Sequence, residues 1–406
     1  MLLPTPLSTM RSGRAFFLVS ASATVFFLWQ FYVLTWCHAE GPGLTLGDLS
    51  SGELANATLG FQRIIAISSE DQSSPTAWRQ RGLIAAANRT GLSIDIHQSR
   101  DVSEKELQEF QDSGSKYTEK PGTGSALAWL AHHDALQYII DNNISSALIL
   151  EDDADWDVRI RSQLAPHSAI PTLLRRLYTD MDGAASPSPL NLSTATPPHP
   201  STQPYTGSFD VLWLGHCTSL YGPHSTRLTA PNDTTQLPGQ ALSAYANRFA
   251  YTRLDDHERA VLSRPECACT FAYAVSGTGA RRVLERTKAG AAAAFDNALG
   301  AACRESPKRG KGLRCASVAP ELVHHQRGVV DADADADEEG EGAPWRGSLV
   351  EGLNRGEGER EALLAPRPSR FFTFNIMYSA RCNAHRGDRR LTQCLPTEED
   401  REVWTS

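Results

Sequence analysis

The 406-residue sequence has no clustered run of basic side chains, no internal repeat and no second cysteine or histidine pair at zinc-site spacing. The missing basic cluster argues against a nucleic-acid-binding protein, because such proteins need a concentrated positive face. The formal net charge is −8, but seven of the acids fall within residues 331–341, and without them the chain would stand at −1. Since Cys267-Ala268-Cys269 lacks partner ligands, we expect no structural zinc there.

Charged side chains are also missing from residues 15–36, a 22-residue apolar stretch. At about 1.5 Å per residue, a helix of this length spans a hydrocarbon core of roughly 30 Å. Arg11 and Arg14 precede the stretch. The positive-inside rule therefore places residues 1–14 in the cytosol and the body of the chain in the lumen. A cleaved signal peptide is the alternative, but the apolar run is longer than a usual signal core.

Sequons and cysteines both favour a secretory compartment. Five glycosylation sequons begin at Asn56, Asn88, Asn143, Asn191 and Asn232. Of these, we expect Asn143 to be too buried for modification. The eight cysteines fit an oxidising environment, with Cys303–Cys315 and Cys382–Cys394 as plausible local disulfides and the full pairing left open. Together with the apolar stretch, these features predict a single-pass membrane protein of the Golgi or endoplasmic reticulum.

Composition divides the rest of the chain. Residues 37–59 have the polar, glycine-rich character of a stem, and residues 60–327 form the predicted folded domain. Residues 179–207, rich in Pro, Ser and Thr, are expected to be a flexible insertion. Residues 328–370 are acidic and glycine-rich, which predicts a disordered linker. Residues 371–406 are then a C-terminal segment expected to pack on the domain.

Strand and helix patterns alternate along the domain. Apolar runs predict buried strands at 63–68, 92–97, 147–150, 209–214, 269–276 and 313–318. Helices are predicted at 75–88, 124–142 and 278–288, and a short charged helix or loop at 103–111. This alternation predicts an α/β fold with a mainly parallel central sheet. Such sheets bind ligands at the carboxyl ends of their strands.

One strand end carries the chemistry. Residues 147–150, ALIL, run directly into Glu151-Asp152-Asp153. Three adjacent carboxylates repel one another and lose solvation, and a hard divalent cation would relieve both costs and hold a diphosphate. Because strand side chains alternate, Glu151 and Asp153 should share one face and Asp152 should point away. A solvated acidic strand end is the alternative interpretation. Asp155 and Asp157 are close enough to contribute indirectly.

Several segments resemble fungal members of glycosyltransferase family 25, which includes bacterial lipooligosaccharide and animal collagen galactosyltransferases. They are LGFQRIIAIS, NNISSALILEDDADWD after the helix carrying His132, FDVLWLGHC, CTFAYAVSGTGARRVL, FDNAL, PELVHHQ and, further on, FNIMYSARCN. The resemblance covers about residues 59–327. It implies a GT-A-like nucleotide-diphospho-sugar transferase fold, a manganese-type metal, a UDP-sugar donor (galactose as the sugar), and inverting transfer to a glycan or glycoprotein.

The resemblance also implies roles for single residues. The metal would be held by Glu151, Asp153, His324 and His325, with Asp153 the best ligand, and the donor would be contacted by Arg63, His132 and Asp152. Asp296 would be the general base on the acceptor hydroxyl. The alternatives without a catalytic role are a helix-capping role for Asp296 and surface positions for His324 and His325.

Two segments depart from the family pattern. Residues 69–82 lack its basic cluster after the first strand, although Arg79 and Arg81 are candidates to replace it, and Leu127, Ala128 and Ala131 stand where the family has a different helix start. A catalytically inactive Golgi scaffold with the same fold is therefore the rival hypothesis. An adhesion protein is a third class, but it leaves the acidic strand end unexplained.

Overall fold

The computed structural model describes residues 54–69, 77–113, 120–181, 209–221, 225–242, 254–289, 291–305, 312–329, 370–385 and 390–395. The predicted cytosolic tail, the apolar stretch, most of the stem, and nearly all of the insertion and linker lie outside these residues. Within them, no helix is both long and apolar enough to cross a lipid bilayer.

These residues form thirteen strands and eight α-helices. The strands are β1 Arg63–Ser68, β2 Asp95–Gln98, β3 Ser146–Glu151, β4 Ala154–Trp156, β5 Val211–Gly215, β6 Thr218–Tyr221, β7 Arg227–Ala230, β8 Arg259–Ser263, β9 Pro265–Ala268, β10 Ala272–Ser276, β11 Cys315–Ala319, β12 Val323–Val329 and β13 Arg370–Thr373. The helices are α1 Trp78–Thr90, α2 Glu104–Asp112, α3 Thr123–Asp141, α4 Ile160–Gln163, α5 Ala169–Met181, α6 Gly277–Arg286, α7 Phe295–Arg304 and α8 Ala380–His385.

The fold is α/β with one large mixed sheet. Its main path runs β2-β1-β3-β10-β5-β11-β8-β7, and β12 links β4 and β13 to β5. The pairs β1–β2, β1–β3 and β5–β11 are parallel. Strand β10 runs antiparallel between β3 and β5, and β8 is antiparallel to both β11 and β7. The central strands thus mostly share one direction, as predicted, with β10 reversed among them.

The inner strands are apolar because both faces of the sheet are covered. All five residues of β10 are buried, as are the first five residues of β3 and the last five of β1. Near-continuous apolar runs are typical of strands buried on both faces. Helix α3 contributes Trp129, Leu136 and Ile139 to the core that includes Ile149 and Val275.

Most predicted elements are confirmed within a few residues, and β1 has the predicted limits. The strand predicted from residue 269 instead begins at Ala272. Cys269 has a positive φ of 65° and is disulfide-bonded to Cys217, so residues 269–271 form a loop before β10. The expectation that Asn143 is buried is wrong: it is exposed just after α3, with φ 52°.

The two local disulfides are confirmed. Cys303 pairs with Cys315, and Cys382 pairs with Cys394. Cys267 is a buried free thiol.

Candidate functional site

The acidic residues lie where the parallel strands β1 and β3 end. In the register of this pair, Ile67 is the partner of Glu151. One residue further, the Ser68 hydroxyl donates a 2.8 Å hydrogen bond to Asp152 Oδ2. Glu151, Asp152 and Asp153 therefore lie at the carboxyl edge of the sheet, as predicted. This part of the sheet is called the acidic edge.

Glu151 is held from the neighbouring β10 side. The Thr270 hydroxyl donates to Glu151 Oε1 across 2.8 Å, and His132 Nε2 lies 3.5 Å from the same oxygen. The Glu151 amide donates to the Phe271 carbonyl at 3.1 Å. The Glu151 side chain is 33% exposed, and both of these contacts are to Oε1.

Residues 269–271 touch most of the predicted site residues. The Cys269 amide donates to Asp296 Oδ2 at 2.7 Å, and Thr270 contacts Glu151 and His132. The Phe271 ring packs on the two late histidines, His324 and His325, at centroid distances of 4.8 and 4.2 Å. Sequence reasoning missed this loop as part of the site, because it assigned the three residues to a strand.

His132 is a buried support rather than an exposed ligand contact. It is 3% exposed, and its Nδ1 lies 3.2 Å from the Tyr273 hydroxyl. Its ring stacks on Phe295 with a centroid distance of 4.6 Å and an interplanar angle of 10°. These contacts fix the imidazole beside Thr270 and Glu151, and so limit the movement of both side chains.

Asp153 is the least satisfied acid of the site. It is 7% exposed, and its Oδ1 makes no hydrogen bond to any residue that the structure describes. Burial raises the Asp153 pKa to about 6; the charge of Arg79 opposes this rise, and the charges of Glu151 and Asp152 add to it. A buried carboxylate oxygen without a donor is costly, and a divalent cation with oxygen ligands would satisfy it. On this criterion the residues fit a metal.

The Asp152 pKa is also raised, chiefly by burial. The charge of Arg79 and the hydrogen bond from Ser68 both oppose that rise. Arg79 is 8% exposed and lies on α1, in the segment that departs from the family pattern. Arg79 therefore supplies positive charge close to the acids, which the sequence predicted only as one of two options.

The four predicted metal ligands are not gathered into one group. Among the residues that the structure describes, no set of three or more His, Cys, Asp or Glu side chains is arranged to hold a metal ion. His324 and His325 lie on β12, in register with Asp155 and Ala154 of β4. His324 Nε2 is 3.8 Å from Glu321, whose pKa burial raises to about 7.

Arg63 is not brought to the acidic edge. It begins β1, pairs in register with Ala147, and lies 3.7 Å from Asp95 with more than half of its side chain exposed. Four residues of strand, about 13 Å, separate it from the level of Glu151. The structure thus places Arg63 toward the other end of the parallel strands, away from Asp152 and Asp153.

Asp296 is bound by the backbone on both oxygens. Its Oδ2 accepts from Cys269, and its Oδ1 accepts from the Asn297 amide at 2.8 Å. It lies in the first turn of α7, whose N-cap residue is Ala294, so Asp296 is not the cap of that helix. The carboxylate instead ties α7 to the 269–271 loop.

Comparison of the chain with protein-family models gives no match, and comparison with curated proteins gives none either. The resemblance to glycosyltransferase family 25 therefore rests on the sequence segments themselves.

Proposed function

We propose that this protein is a metal-dependent glycosyltransferase with a GT-A-like fold. It would move a sugar, galactose in the first instance, from a UDP-sugar to a glycan or glycoprotein, with inversion. The observation that carries the proposal is the buried Asp153 carboxylate, which has an unpartnered oxygen beside two further acids at the carboxyl edge of the sheet. A ligand edge of this kind is where α/β sheets bind nucleotides.

Asp153 and Glu151 are the residues proposed to hold the metal. Asp153 offers its unpartnered Oδ1, and Glu151 offers Oε2, since Thr270 and His132 approach its other oxygen. When bound, a divalent cation such as Mn²⁺ would neutralise charge developing on the leaving diphosphate. His324 and His325 support this edge through Phe271 in the proposal, rather than as ligands.

Residues 151–153 are called the acidic turn. Donor binding is proposed to use the side of this turn that carries Asp152, opposite the proposed metal ligands. Ser68 orients Asp152, which leaves Asp152 Oδ1 to accept from a donor hydroxyl. Arg79 provides the positive charge that the family pattern places after its first strand. The buried His132 acts through Glu151, and Arg63 is not part of the donor site in this proposal.

Asp296 is proposed to position the site rather than to act as the general base. Both of its oxygens already accept backbone N–H bonds, and these bonds anchor the loop that carries Thr270. Loss of Asp296 would reach the reaction through the placement of Glu151.

The three disulfides of the described residues support an oxidising compartment. We propose that the protein resides in the Golgi or endoplasmic reticulum, anchored in the membrane through residues 15–36 and with its folded body in the lumen.

Calorimetric titration of Mn²⁺ and UDP into the purified body tests the proposal. Asp153→Asn keeps the shape of the side chain and removes its charge, so it should abolish metal-dependent UDP binding, and Asp152→Asn should have a milder effect. Asp95→Asn, which alters an exposed acid paired with Arg63, is the matched control and should bind normally. Wild-type affinity in Asp153→Asn would overturn the assignment.

The rival function is a non-catalytic scaffold with the same fold. It is favoured by the absence, among the described residues, of a group of three or more metal-binding side chains. On this hypothesis the wild-type body would bind neither Mn²⁺ nor UDP in the same titration.

A further inference from the structure

Arg381 is a fully buried arginine in the C-terminal helix α8, and its guanidinium is directed at the acidic turn. Its Nε donates to the Ala154 carbonyl at 2.7 Å, and its Nη2 donates to the Asp152 carbonyl. Its Nη1 donates to the Arg79 carbonyl at 2.9 Å. The two carbonyls on the turn flank Asp153, so one side chain fixes the backbone on both sides of that residue.

Two acids that follow the turn, Asp155 and Asp157, hold the segment that carries Arg381 through hydrogen bonds. Asp155 accepts hydrogen bonds from the hydroxyls of Thr373 and Ser379 and from the amide of Arg381. Asp155 is completely buried, and these donors satisfy both of its oxygens. Its role is therefore to hold the C-terminal segment and not to bind a ligand.

Asp157 also binds the C-terminal segment. Its Oδ2 accepts from the Tyr378 amide at 3.0 Å, and the Val158 amide donates to the Tyr378 carbonyl at 2.9 Å. Arg159 neutralises Asp157 with two short contacts and lies over the Tyr378 ring. Residues 373–381 are thus fixed to the strand that leaves the acidic turn.

We infer that the C-terminal segment completes the candidate site and that Arg381 is its positioning residue. The inference rests on the proposed function. Arg381 connects the acidic turn and helix α1 to the C-terminal segment in which it lies. It is 229 residues from Asp152 in the sequence. Without Arg381, the Asp152 and Ala154 carbonyls would lose the hydrogen bonds that its guanidinium donates.

Arginine suits this position for a geometric reason. The guanidinium presents several N–H donors in a fixed plane, whereas the lysine ammonium is a compact group on a flexible stem. Lysine cannot reach the Asp152, Ala154 and Arg79 carbonyls together. Arg381→Lys should therefore keep the charge and lose the geometry.

Gly82 gives an independent way to disturb the same group. A Cβ at Gly82 would lie 2.6 Å from Arg381 Nη1, which is too close for a real contact. Gly82→Ala keeps Arg381 and favours the helix α1, since alanine is a better helix former than glycine. It should therefore displace the guanidinium in a protein that still folds.

The test is a calorimetric titration of Mn²⁺ with UDP into wild type, Arg381→Lys, Gly82→Ala and the control Arg282→Lys, with thermal melts of each. Arg282 also bonds a carbonyl and a carboxylate, those of Gly312 and Asp210, away from the acidic turn. Arg381→Lys should weaken UDP binding by about tenfold or more and Gly82→Ala by several-fold. Arg282→Lys should lower the melting temperature alone.

Methylguanidinium, added at millimolar concentration to Arg381→Ala, should restore part of the binding, and ammonium should not. Wild-type affinity in both Arg381→Lys and Gly82→Ala would overturn the inference and leave the proposed function intact. A wild type that binds neither Mn²⁺ nor UDP would overturn the proposed function, and the inference with it.

Discussion

Thr270 and Glu151 are joined by a 2.8 Å hydrogen bond from the threonine hydroxyl to Glu151 Oε1, across 119 residues of sequence. The bond makes the loop before β10 part of the acidic edge. Cys269, the preceding residue, is fixed by its disulfide to Cys217 and by the hydrogen bond that its backbone N–H donates to Asp296 Oδ2. The orientation of Glu151 therefore depends on groups that no local pattern around it reveals.

The first prediction concerns Thr270. Thr270→Val keeps the shape and removes the hydroxyl, so the partly buried Glu151 carboxylate loses a donor. We expect a loss of about 1.5 kcal/mol in the free energy of unfolding, the lower end of the range for a hydrogen bond to a charged group, and several-fold weaker Mn²⁺–UDP binding. Urea denaturation and calorimetry measure the two effects. Thr270→Ser retains the donor and should behave like wild type; equal losses in both variants would contradict the assignment.

The second prediction separates the two roles of Asp296. Loss of a general base typically lowers the rate by about 10² to 10⁴. Asp296→Asn keeps a carbonyl oxygen that can accept from the Cys269 amide, so a positioning role predicts a rate within about tenfold of wild type. Donor hydrolysis or sugar transfer by the purified body measures it. Asp296→Ala, which removes the acceptor altogether, should lose more activity and also lower the melting temperature.

Local patterns were sufficient for the elements that hold the acids. The apolar run of β1 and the apolar run of β3 followed by acids predicted both strands and the carboxyl edge they share. Their side chains are buried on both faces, so the hydrophobic signal was continuous. The same reasoning did not find β7, because this four-residue strand at the end of the sheet has a single buried residue and so carries little side-chain signal.

The contacts that shape the site are instead long-range. Arg381 was part of a matched sequence segment, but nothing in its neighbourhood shows that its guanidinium reaches Asp152 across 229 residues. The predicted alternation of strand side chains said which acids share a face, yet not that Thr270 and Ser68 hold Glu151 and Asp152 separately. A signal was available for Arg381, since a lone charged residue beside a cysteine in a mostly uncharged segment is a candidate for burial.

The third prediction concerns glycosylation. Asn56, Asn88 and Asn232 are exposed, which an oligosaccharide acceptor requires. When the full chain is expressed in eukaryotic secretory cells, a glycosidase that removes N-linked glycans should increase its gel mobility. Asn88 lies on the exposed side of α1, so Asn88→Gln should remove one glycan without disturbing the fold. Unchanged mobility of the wild-type chain would count against the lumenal placement of the body.

The last prediction concerns the pH dependence of stability. The Asp153 pKa is about 6 in the folded protein, above its ordinary value of 3.8, and burial is the main cause. The folded state therefore binds the Asp153 proton more tightly than the unfolded chain does. As the pH rises from about 4 to about 6, the unfolded chain ionises first, and the contribution of this group to stability falls. Above pH 6 both states are ionised, and the full penalty, roughly 3 kcal/mol at most, remains.

Asp153→Asn removes this penalty, so at pH 7.5 and without metal the variant should be more stable than wild type by about 1 to 3 kcal/mol. The difference should shrink toward zero below pH 4. Asp233→Asn is the control of opposite sign: despite burial, the charge of Arg259 and the bonds from Thr235 hold the pKa of Asp233 below its ordinary range. Its ionised form therefore stabilises the fold above the unfolded pKa, and the variant should be less stable at pH 7.5.

Mn²⁺ should raise the melting temperature of wild type and leave that of Asp153→Asn unchanged, because only a site with affinity in the folded state shifts the equilibrium. Chemical denaturation at pH 4, 6 and 7.5 measures these differences; an Asp153→Asn protein less stable than wild type at pH 7.5 would show that the buried carboxylate is not strained by its charge.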